Sequence, residues 1–379
     1  MSRQYKHRLT ALLVSIALAS AGCGGATPSP APEDLAILTT RGLYLWSSQG
    51  HTRRLSGFQS YSGKTAIRLL DWSADGRDLA WMEERLTTGT APRLTLRWFD
   101  TATGHEHSWP LAQTLGAPSA LLASGNGLTG YFPGINTSAS ELRRYQINGA
   151  SSAVPLIIDS YEALSDTDGF IAFGPGLKLG MYAVHRVALD GSAQGITIAM
   201  RSSHPAEQAL EHWAVSPSGM TLAAEQGDHT DGCGVGPASQ VAAIDPRSAE
   251  QSLFPLPGGK RWRVVSMGYS PDGVLLVVAA DTTAACAGGQ PTASMPTTLF
   301  ELNAGTLHAA AHQVLIAARS PRGLLAVITG QWRLGLAPGG DYPATLPSGP
   351  QTLRVGSHTI KLPGTPTTLV WSPNSASAE

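Results

Sequence analysis

The chain has 379 residues and a formal net charge of −1, and only 14% of its residues are charged. With 42 glycines and 26 prolines, the composition favours many short strands joined by turns. It argues against long helices, which need runs of Ala, Leu, Glu and Lys. The length allows one large all-β domain or two smaller ones.

The first 22 residues have the features of an export signal. A positively charged start precedes an apolar run of 11 residues, Leu9–Ala19, which is too short to span a bilayer of about 30 Å. The next four residues, Ser20–Cys23, resemble a bacterial lipobox, in which the signal is cut before the cysteine and the cysteine receives lipid. We therefore expect residues 1–22 to be a lipoprotein signal peptide and Cys23 to be lipidated. An ordinary secretory signal with a chance cysteine is the alternative.

Residues 23–34, rich in Gly, Pro and Ala, predict a flexible tether between the lipid and a single domain at 35–379. Loss of the signal removes three positive charges and no negative ones, so the formal charge falls from −1 to −4. Such a chain lacks the basic surface that nucleic-acid binding requires. The expected location is the cell envelope, outside the cytoplasm, with membrane attachment through Cys23.

A repeat of about 50 residues runs through the remaining chain. Its mark is an apolar strand followed by a turn related to Ser-Pro-Asp-Gly, where Pro presets φ and Gly tolerates positive φ. Successive turns are separated by 51, 42, 50, 54, 50 and 52 residues, and the second copy matches least well. The turn positions are Gly76, Gly127, Gly169, Gly219, Gly273, Gly323 and Ser375.

Each repeat contains the same succession of elements. A second apolar strand follows the turn, then a variable loop, a third strand, a hairpin turn that begins with Asp or Asn, and a short fourth strand. The residues at the equivalent hairpin position are Asp100, Asn148, Asp190, Asp245 and Asn303. Four antiparallel strands per 50 residues are typical of a β-propeller blade.

The two ends of the domain complement each other. The last copy, "TTLVWSPNS", supplies only a first strand, whereas the domain begins with three strands, "LAILTT", "LYLWSSQG" and "HTRRLS". Joining the ends completes one blade and leaves the ring without a long unpaired sheet edge. The predicted fold is therefore an all-β, seven-bladed propeller, or a six-bladed one if the Gly127 copy is not a blade.

The pattern "WSPDG…LA" followed by "LYxWxxxG" resembles the TolB-type propeller repeat, which occurs in many bacterial periplasmic and surface proteins. The resemblance spans nearly the whole domain. It implies a propeller that serves as a binding platform, and the fold alone does not assign a role.

Two cysteines remain after Cys23. Cys233 lies 14 residues after Gly219 and Cys286 lies 13 residues after Gly273, so both fall in the loop between the second and third strands of neighbouring blades. Equivalent loops of adjacent blades lie side by side, and exported proteins meet an oxidising environment. We therefore expect a Cys233–Cys286 disulfide, which would close a loop of about 50 residues and contribute roughly 3–4 kcal/mol.

No residue pattern predicts a catalytic site, a cofactor or a metal. The spacing of Asp228, His229, Asp231 and Cys233 matches no structural zinc pattern. For five histidines, the sequence spacing does not indicate a partner among the candidate Ser or Cys nucleophiles: His204, His212, His229, His308 and His312. From these observations we expect the chain not to be an enzyme.

The longest and most varied loops lie on the face that carries the two cysteine loops, which is where a propeller usually binds. On this face, one cluster combines an aromatic ring with cations and is our candidate for partner binding: Lys260, Arg261, Trp262 and Arg263. The alternative is that Trp262 and Arg263 simply begin an inner strand.

The leading interpretation is a monomeric, lipid-anchored, non-enzymatic module that binds or scaffolds an envelope protein or polymer. One alternative is a carbohydrate or small-ligand receptor at the mouth of the propeller channel. The other is a lyase or glycosidase built on the propeller.

Overall fold

The computed structural model describes residues 34–57, 65–85, 91–134, 139–158, 162–175, 181–199, 208–228, 238–283, 294–336 and 343–373. Apart from one turn of 3-10 helix at Gln113–Leu115, their regular structure is all strand. In these ranges no helix is long and apolar enough to cross a membrane. All the strands lie in one compact unit, Pro32–Glu379.

The first half of the chain forms β1 (Asp34–Thr39), β2 (Gly42–Ser47), β3 (Thr52–Gly57), β4 (Thr65–Trp72), β5 (Asp78–Arg85), β6 (Arg93–Asp100), β7 (Glu106–Pro110), β8 (Ala120–Ser124), β9 (Gly127–Phe132), β10 (Glu141–Gln146), β11 (Ser151–Pro155), β12 (Glu162–Ser165), β13 (Gly169–Pro175), β14 (Met181–Ala188) and β15 (Ala193–Ala199). The second half forms β16 (Gln208–Val215), β17 (Leu222–Asp228), β18 (Ala238–Ile244), β19 (Gln251–Pro255), β20 (Trp262–Tyr269), β21 (Leu275–Asp281), β22 (Ser294–Met295), β23 (Thr297–Asn303), β24 (Thr306–His312), β25 (Val314–Arg319), β26 (Leu325–Leu336), β27 (Pro343–Val355), β28 (His358–Ile360) and β29 (Pro366–Trp371).

These strands form seven antiparallel blades of four main strands each, which confirms the seven-bladed propeller. Blade 1 combines β29 with β1–β3, and blades 2 to 7 begin with β4, β8, β12, β16, β20 and β25. The Gly127 copy forms a complete sheet, β8–β11, so the six-bladed alternative is wrong. The two-residue strand β22 joins blade 6 to β26 of blade 7.

The predicted closure of the ring is confirmed by the pairing of β29 with β1. Leu35 lies opposite Trp371, and the register continues to Thr39 opposite Pro366, with one irregularity after Leu38. The pairing places the last described strand in the same sheet as the first. The first strands of the seven blades contact one another in a closed circle and so line a central channel.

The repeated turns have the geometry that the sequence predicts. In the turn at Ser270–Gly273, the Gly273 N–H donates to the Ser270 carbonyl oxygen at 2.8 Å, and Gly273 has a φ of 83°. The Ser270 hydroxyl accepts from the N–H of Val274 at 3.0 Å, which fixes the start of β21. Equivalent serines are also buried: Ser73, Ser216, Ser320 and Ser372.

Apolar clusters fill the interfaces between neighbouring blades, because the strands alternate residues toward the two adjacent blades. Tryptophans add directed bonds across these interfaces. The Trp72 indole N–H donates to the Val370 carbonyl of blade 1, and that of Trp371 donates to the Ala318 carbonyl of blade 7, both at 3.1 Å. Each bond therefore ties one inner strand to the inner strand of the preceding blade.

Candidate functional site

The inner strands enclose a largely apolar cavity of about 580 Å³, which we term the channel cavity. It is bounded by β16, β20, β25 and β29, together with Trp332 of β26. Aromatic and other large side chains form much of its wall: His212, Trp213, Met267, Tyr269, Trp332 and Trp371. The volume is within the range of about 300–1,000 Å³ that is typical of small-molecule sites.

A few polar groups interrupt the apolar wall of the channel cavity. Burial raises the pKa of the Tyr269 hydroxyl to about 12, so it stays a neutral hydrogen-bonding group at physiological pH. The Trp332 indole nitrogen is buried, and within the described part of the chain no acceptor takes its proton. The Arg319 guanidinium lies 3.2 Å from Glu301 and 3.6 Å from Asp272, so its charge is neutralised by the protein.

His212 is held at the cavity wall by a carboxylate behind it. Its Nδ1 atom lies 2.5 Å from Oε2 of Glu225, a residue of β17 with only 3% of its surface exposed. The other carboxylate oxygen of Glu225 accepts from the Val264 N–H at 3.3 Å. Both oxygens of this buried acid therefore have donors, one from its own blade and one from the next.

A second, smaller pocket of about 140 Å³ lies at the end of the channel that carries the Ser-Pro-Asp-Gly turns. Asp71 of β4 lines it, and the Oδ2 atom of this carboxyl is buried with no hydrogen-bond partner in the described structure. Burial raises the pKa of Asp71 to about 7, and hydrogen bonds from the Ser165 hydroxyl and the Trp72 N–H offset only part of the effect. This carboxyl is therefore partly protonated at neutral pH.

Asp166 lines the same turn-side pocket, and its side chain is only 1% exposed. Its Oδ1 accepts from the N–H groups of Asp168 and Gly169, at 2.8 and 2.6 Å. Its Oδ2 lies 3.7 Å from the Arg186 guanidinium and faces Gly219 of the next blade, where a Cβ atom would come within 2.3 Å. Its fixed position thus makes Asp166 a contact between blades 4 and 5.

The predicted partner-binding cluster is engaged within the protein. Trp262 begins β20 and is 5% exposed; its ring meets Phe300 edge-on at 5.2 Å, and its N–H donates to the Pro257 carbonyl. Lys260 lies 5.3 Å above the Trp262 ring and 3.0 Å from the Asp281 carboxylate. Arg261 and Arg263 flank this buried ring. The arrangement supports the alternative that Trp262 and Arg263 start an inner strand, and a partner-binding role of the cluster stays a prediction.

The predicted lipid site and disulfide lie outside the described residues. Cys23, Cys233 and Cys286 are all in segments that the structure does not describe. Among the residues that are described, no group of three or more His, Cys, Asp or Glu side chains could hold a metal ion. The lipidation and the bridge therefore remain predictions.

No protein-family model and no curated protein sequence matches the chain. Solved structures do share its fold. A Bacteroides fragilis protein described as a 6-phosphogluconolactonase is 13% identical, with a TM-score of 0.44, over 92% of this chain and 99% of its own. A prolyl endopeptidase is 10% identical, with a TM-score of 0.45, over 93% of this chain and 56% of its own. A puromycin hydrolase is 17% identical, with a TM-score of 0.46, over 80% of this chain and 49% of its own.

These comparisons correct one prediction. The similar structures are described as a lactonase, an endopeptidase and a hydrolase. Our expectation that the chain is not an enzyme, which rested on the lack of a catalytic residue pattern, is therefore corrected. With TM-scores below 0.5, the likeness assigns no activity to this chain. It does not show a TolB-type relationship either.

Sequence reasoning missed the pairing of His212 with Glu225. Counted from the turn glycine, His212 is seven residues before Gly219 and Glu225 is six residues after it. The same positions around Gly76 hold Leu69 and Met82, which pack together in the apolar cluster between blades 2 and 3. An imidazole and a carboxylate at positions that are apolar in another repeat were the available signal.

Proposed function

We propose that the chain is a lipid-anchored propeller of the cell envelope that binds a small, largely apolar organic molecule in the channel cavity. The observation that carries the proposal is the cavity itself, about 580 Å³ in volume, with a wall that is mainly apolar and rich in aromatic side chains. An apolar ligand would gain free energy by leaving water, and the Tyr269 hydroxyl would orient its polar group.

The described surface gives less support to a protein or polymer partner. Its large exposed hydrophobic side chains are Ile147 and Ile157, which do not form an apolar patch of the size that protein interfaces use. The Trp262 ring, our aromatic candidate for such a contact, is buried. The loop-face interaction with an envelope protein or polymer therefore stays a second prediction.

Binding can be tested with N-phenyl-1-naphthylamine, an uncharged aromatic probe whose fluorescence rises in apolar surroundings. Gly268 lines the cavity, and a Cβ atom there would meet nothing within 4 Å. Gly268→Trp should fill the cavity and weaken probe binding at least tenfold, whereas Gly268→Ala, the matched control, should bind within about twofold of the parent. Equal affinities of the parent and Gly268→Trp, or no saturable binding by the parent, would contradict the proposal.

The membrane attachment has its own test. Replacement of Cys23 by Ser removes the acceptor of the acyl chains, which dominate membrane affinity at about 0.8 kcal/mol per buried methylene. We expect the variant to move from the membrane to the soluble extracytoplasmic fraction on cell fractionation. If it stays with the membrane, the lipoprotein assignment is wrong.

A further inference from the structure

The His212–Glu225 pair has the geometry of a base held ready for proton transfer. In the neutral imidazole, the Nδ1 atom that lies 2.5 Å from the Glu225 carboxylate carries the ring proton, and Nε2 keeps a lone pair. The Val264 N–H on the other carboxylate oxygen keeps Glu225 from rotating away. Because His212 lines the channel cavity, Nε2 is the nitrogen available to a molecule bound there.

The backbone is distorted at this residue. His212 has a φ of 49°, in the left-handed region, and the pairing of β16 with β17 is irregular between Glu211 and Ala214. Bulges of this kind redirect side chains. Here the bulge accompanies the placement of a histidine between a buried carboxylate and the cavity.

We propose that His212 and Glu225 form a general-base dyad that hydrolyses small apolar carboxylic esters in the channel cavity; the idea rests on the binding function proposed above. His212 Nε2 takes a proton from a water molecule as the water oxygen bonds to the ester carbonyl carbon. The carbonyl oxygen becomes an oxyanion. The bond to the alcohol oxygen then breaks, and that oxygen takes the proton from Nε2. The products are a carboxylic acid and an alcohol, with no oxidation or reduction.

One substitution separates this role from a structural one. In His212→Asn, the side-chain amide can still donate to Glu225, and Asn tolerates a left-handed φ better than most residues, but nothing replaces Nε2. With p-nitrophenyl butyrate as the substrate, we expect saturable hydrolysis by the parent and a fall in kcat of about 100-fold or more in His212→Asn. Affinity for N-phenyl-1-naphthylamine should change far less than kcat.

One further variant and a control complete the test. Glu225→Gln should lower kcat at least tenfold because it no longer holds the imidazole as a base. His358→Asn, which changes an exposed histidine of β28, should leave the rate unchanged and so excludes nonspecific hydrolysis by surface imidazoles. Thermal melting of each variant verifies the fold.

The outcomes distinguish the two proposals. If His212→Asn is as fast as the parent, or if the parent hydrolyses the ester no faster than its Gly268→Trp variant, the dyad is not catalytic, and probe binding can still support the proposed function. If His212→Asn abolishes hydrolysis and the probe does not bind, the dyad is supported and the apolar-ligand proposal fails.

Discussion

In both β4 and β16, the residue seven positions before the turn glycine has a left-handed backbone: Leu69 has a φ of 56° and His212 a φ of 49°. Each lies in a bulge of an inner strand. In blade 2 the side chain packs against Met82, whereas in blade 5 it bonds to Glu225 at the equivalent position of the second strand. The same bulge therefore occurs with an apolar side chain and with an imidazole, and does not depend on the chemistry of the side chain.

The two blades also differ in the hydrogen bonding of their buried carboxylates. Glu225 lies outside the inner strand and receives donors from two blades, whereas Asp71 lies in β4 itself and has a buried oxygen without a donor. Asp71 does accept hydrogen bonds from the Ser165 hydroxyl and the Trp72 N–H, so the two acids differ in whether one carboxylate oxygen or both have donors. Three substitutions sharpen this difference.

The largest effect is expected when the blade 2 side chain is placed in blade 5. Glu225→Met leaves the Val264 N–H buried without an acceptor and removes the partner of His212, so we expect a loss of about 3–5 kcal/mol in the free energy of unfolding. The double change His212→Leu with Glu225→Met recreates the apolar pair and should lose clearly less. Urea unfolding of the parent, of His212→Leu, of Glu225→Met and of the double variant gives the coupling free energy between the two side chains. Additive losses would show that the two side chains do not depend on each other.

Replacement of the turn glycine after β16, Gly219, should destabilise the protein more than replacement of its equivalent after β20, Gly273. A Cβ at Gly219 would lie 2.3 Å from the fixed Asp166 carboxylate, whereas a Cβ at Gly273 would meet nothing within 4 Å. Both residues have positive φ, so each alanine costs about 1–2 kcal/mol of backbone strain. We expect Gly219→Ala to lose about 2 kcal/mol more than Gly273→Ala, as measured by urea unfolding. Equal losses would mean that Asp166 moves aside.

The smallest of the three effects, and a favourable one, is expected at Asp71. Its pKa is raised from 3.8 to about 7, so the folded state holds a proton that the unfolded state has released. The resulting stability is complete below pH 4 and is lost as the pH rises through 7. Asp71→Asn should therefore be about 2 kcal/mol more stable than the parent at pH 8. This is less than the free energy that corresponds to the whole pKa shift, because Asp71 is only half-buried.

The control for Asp71 is a residue of the same type at the surface. Asp168→Asn changes an exposed residue two positions after Asp166, which lines the pocket of Asp71, and serves as the matched control at pH 4 and pH 8. Thermal unfolding of the two variants and the parent at both pH values makes the comparison. A pH-independent effect of Asp71→Asn would show that the carboxyl titrates normally.

The sequence predicts the blades well because each blade is a local unit. The turn after an apolar strand and the hairpin begun by residues such as Asp100 or Asp245 follow from residues close together in the chain, and both are present. Ring closure needed one further argument, that a ring leaves no unpaired edge.

The channel wall could not be predicted in the same way, because its contacts join different blades. The spacing of the repeat does not show that Val264 donates to Glu225 or that the Asp166 carboxylate faces Gly219. The role of Trp262 was open for the same reason: whether its ring faces a partner or Phe300 depends on packing within the folded blade. An alignment of the repeats position by position points to His212 and Glu225 as exceptions, but not to their contact.

The pairing of β29 with β1 also determines when the protein can finish folding. The Thr367 hydroxyl reaches the Leu38 carbonyl oxygen across 329 positions of the chain, so this contact forms only after nearly all of the domain has been synthesised. Until then β1 is an open edge that other strands could join. Closure of so distant a pair is slow, and we expect the nascent chain to need protection of β1 until the last strand arrives.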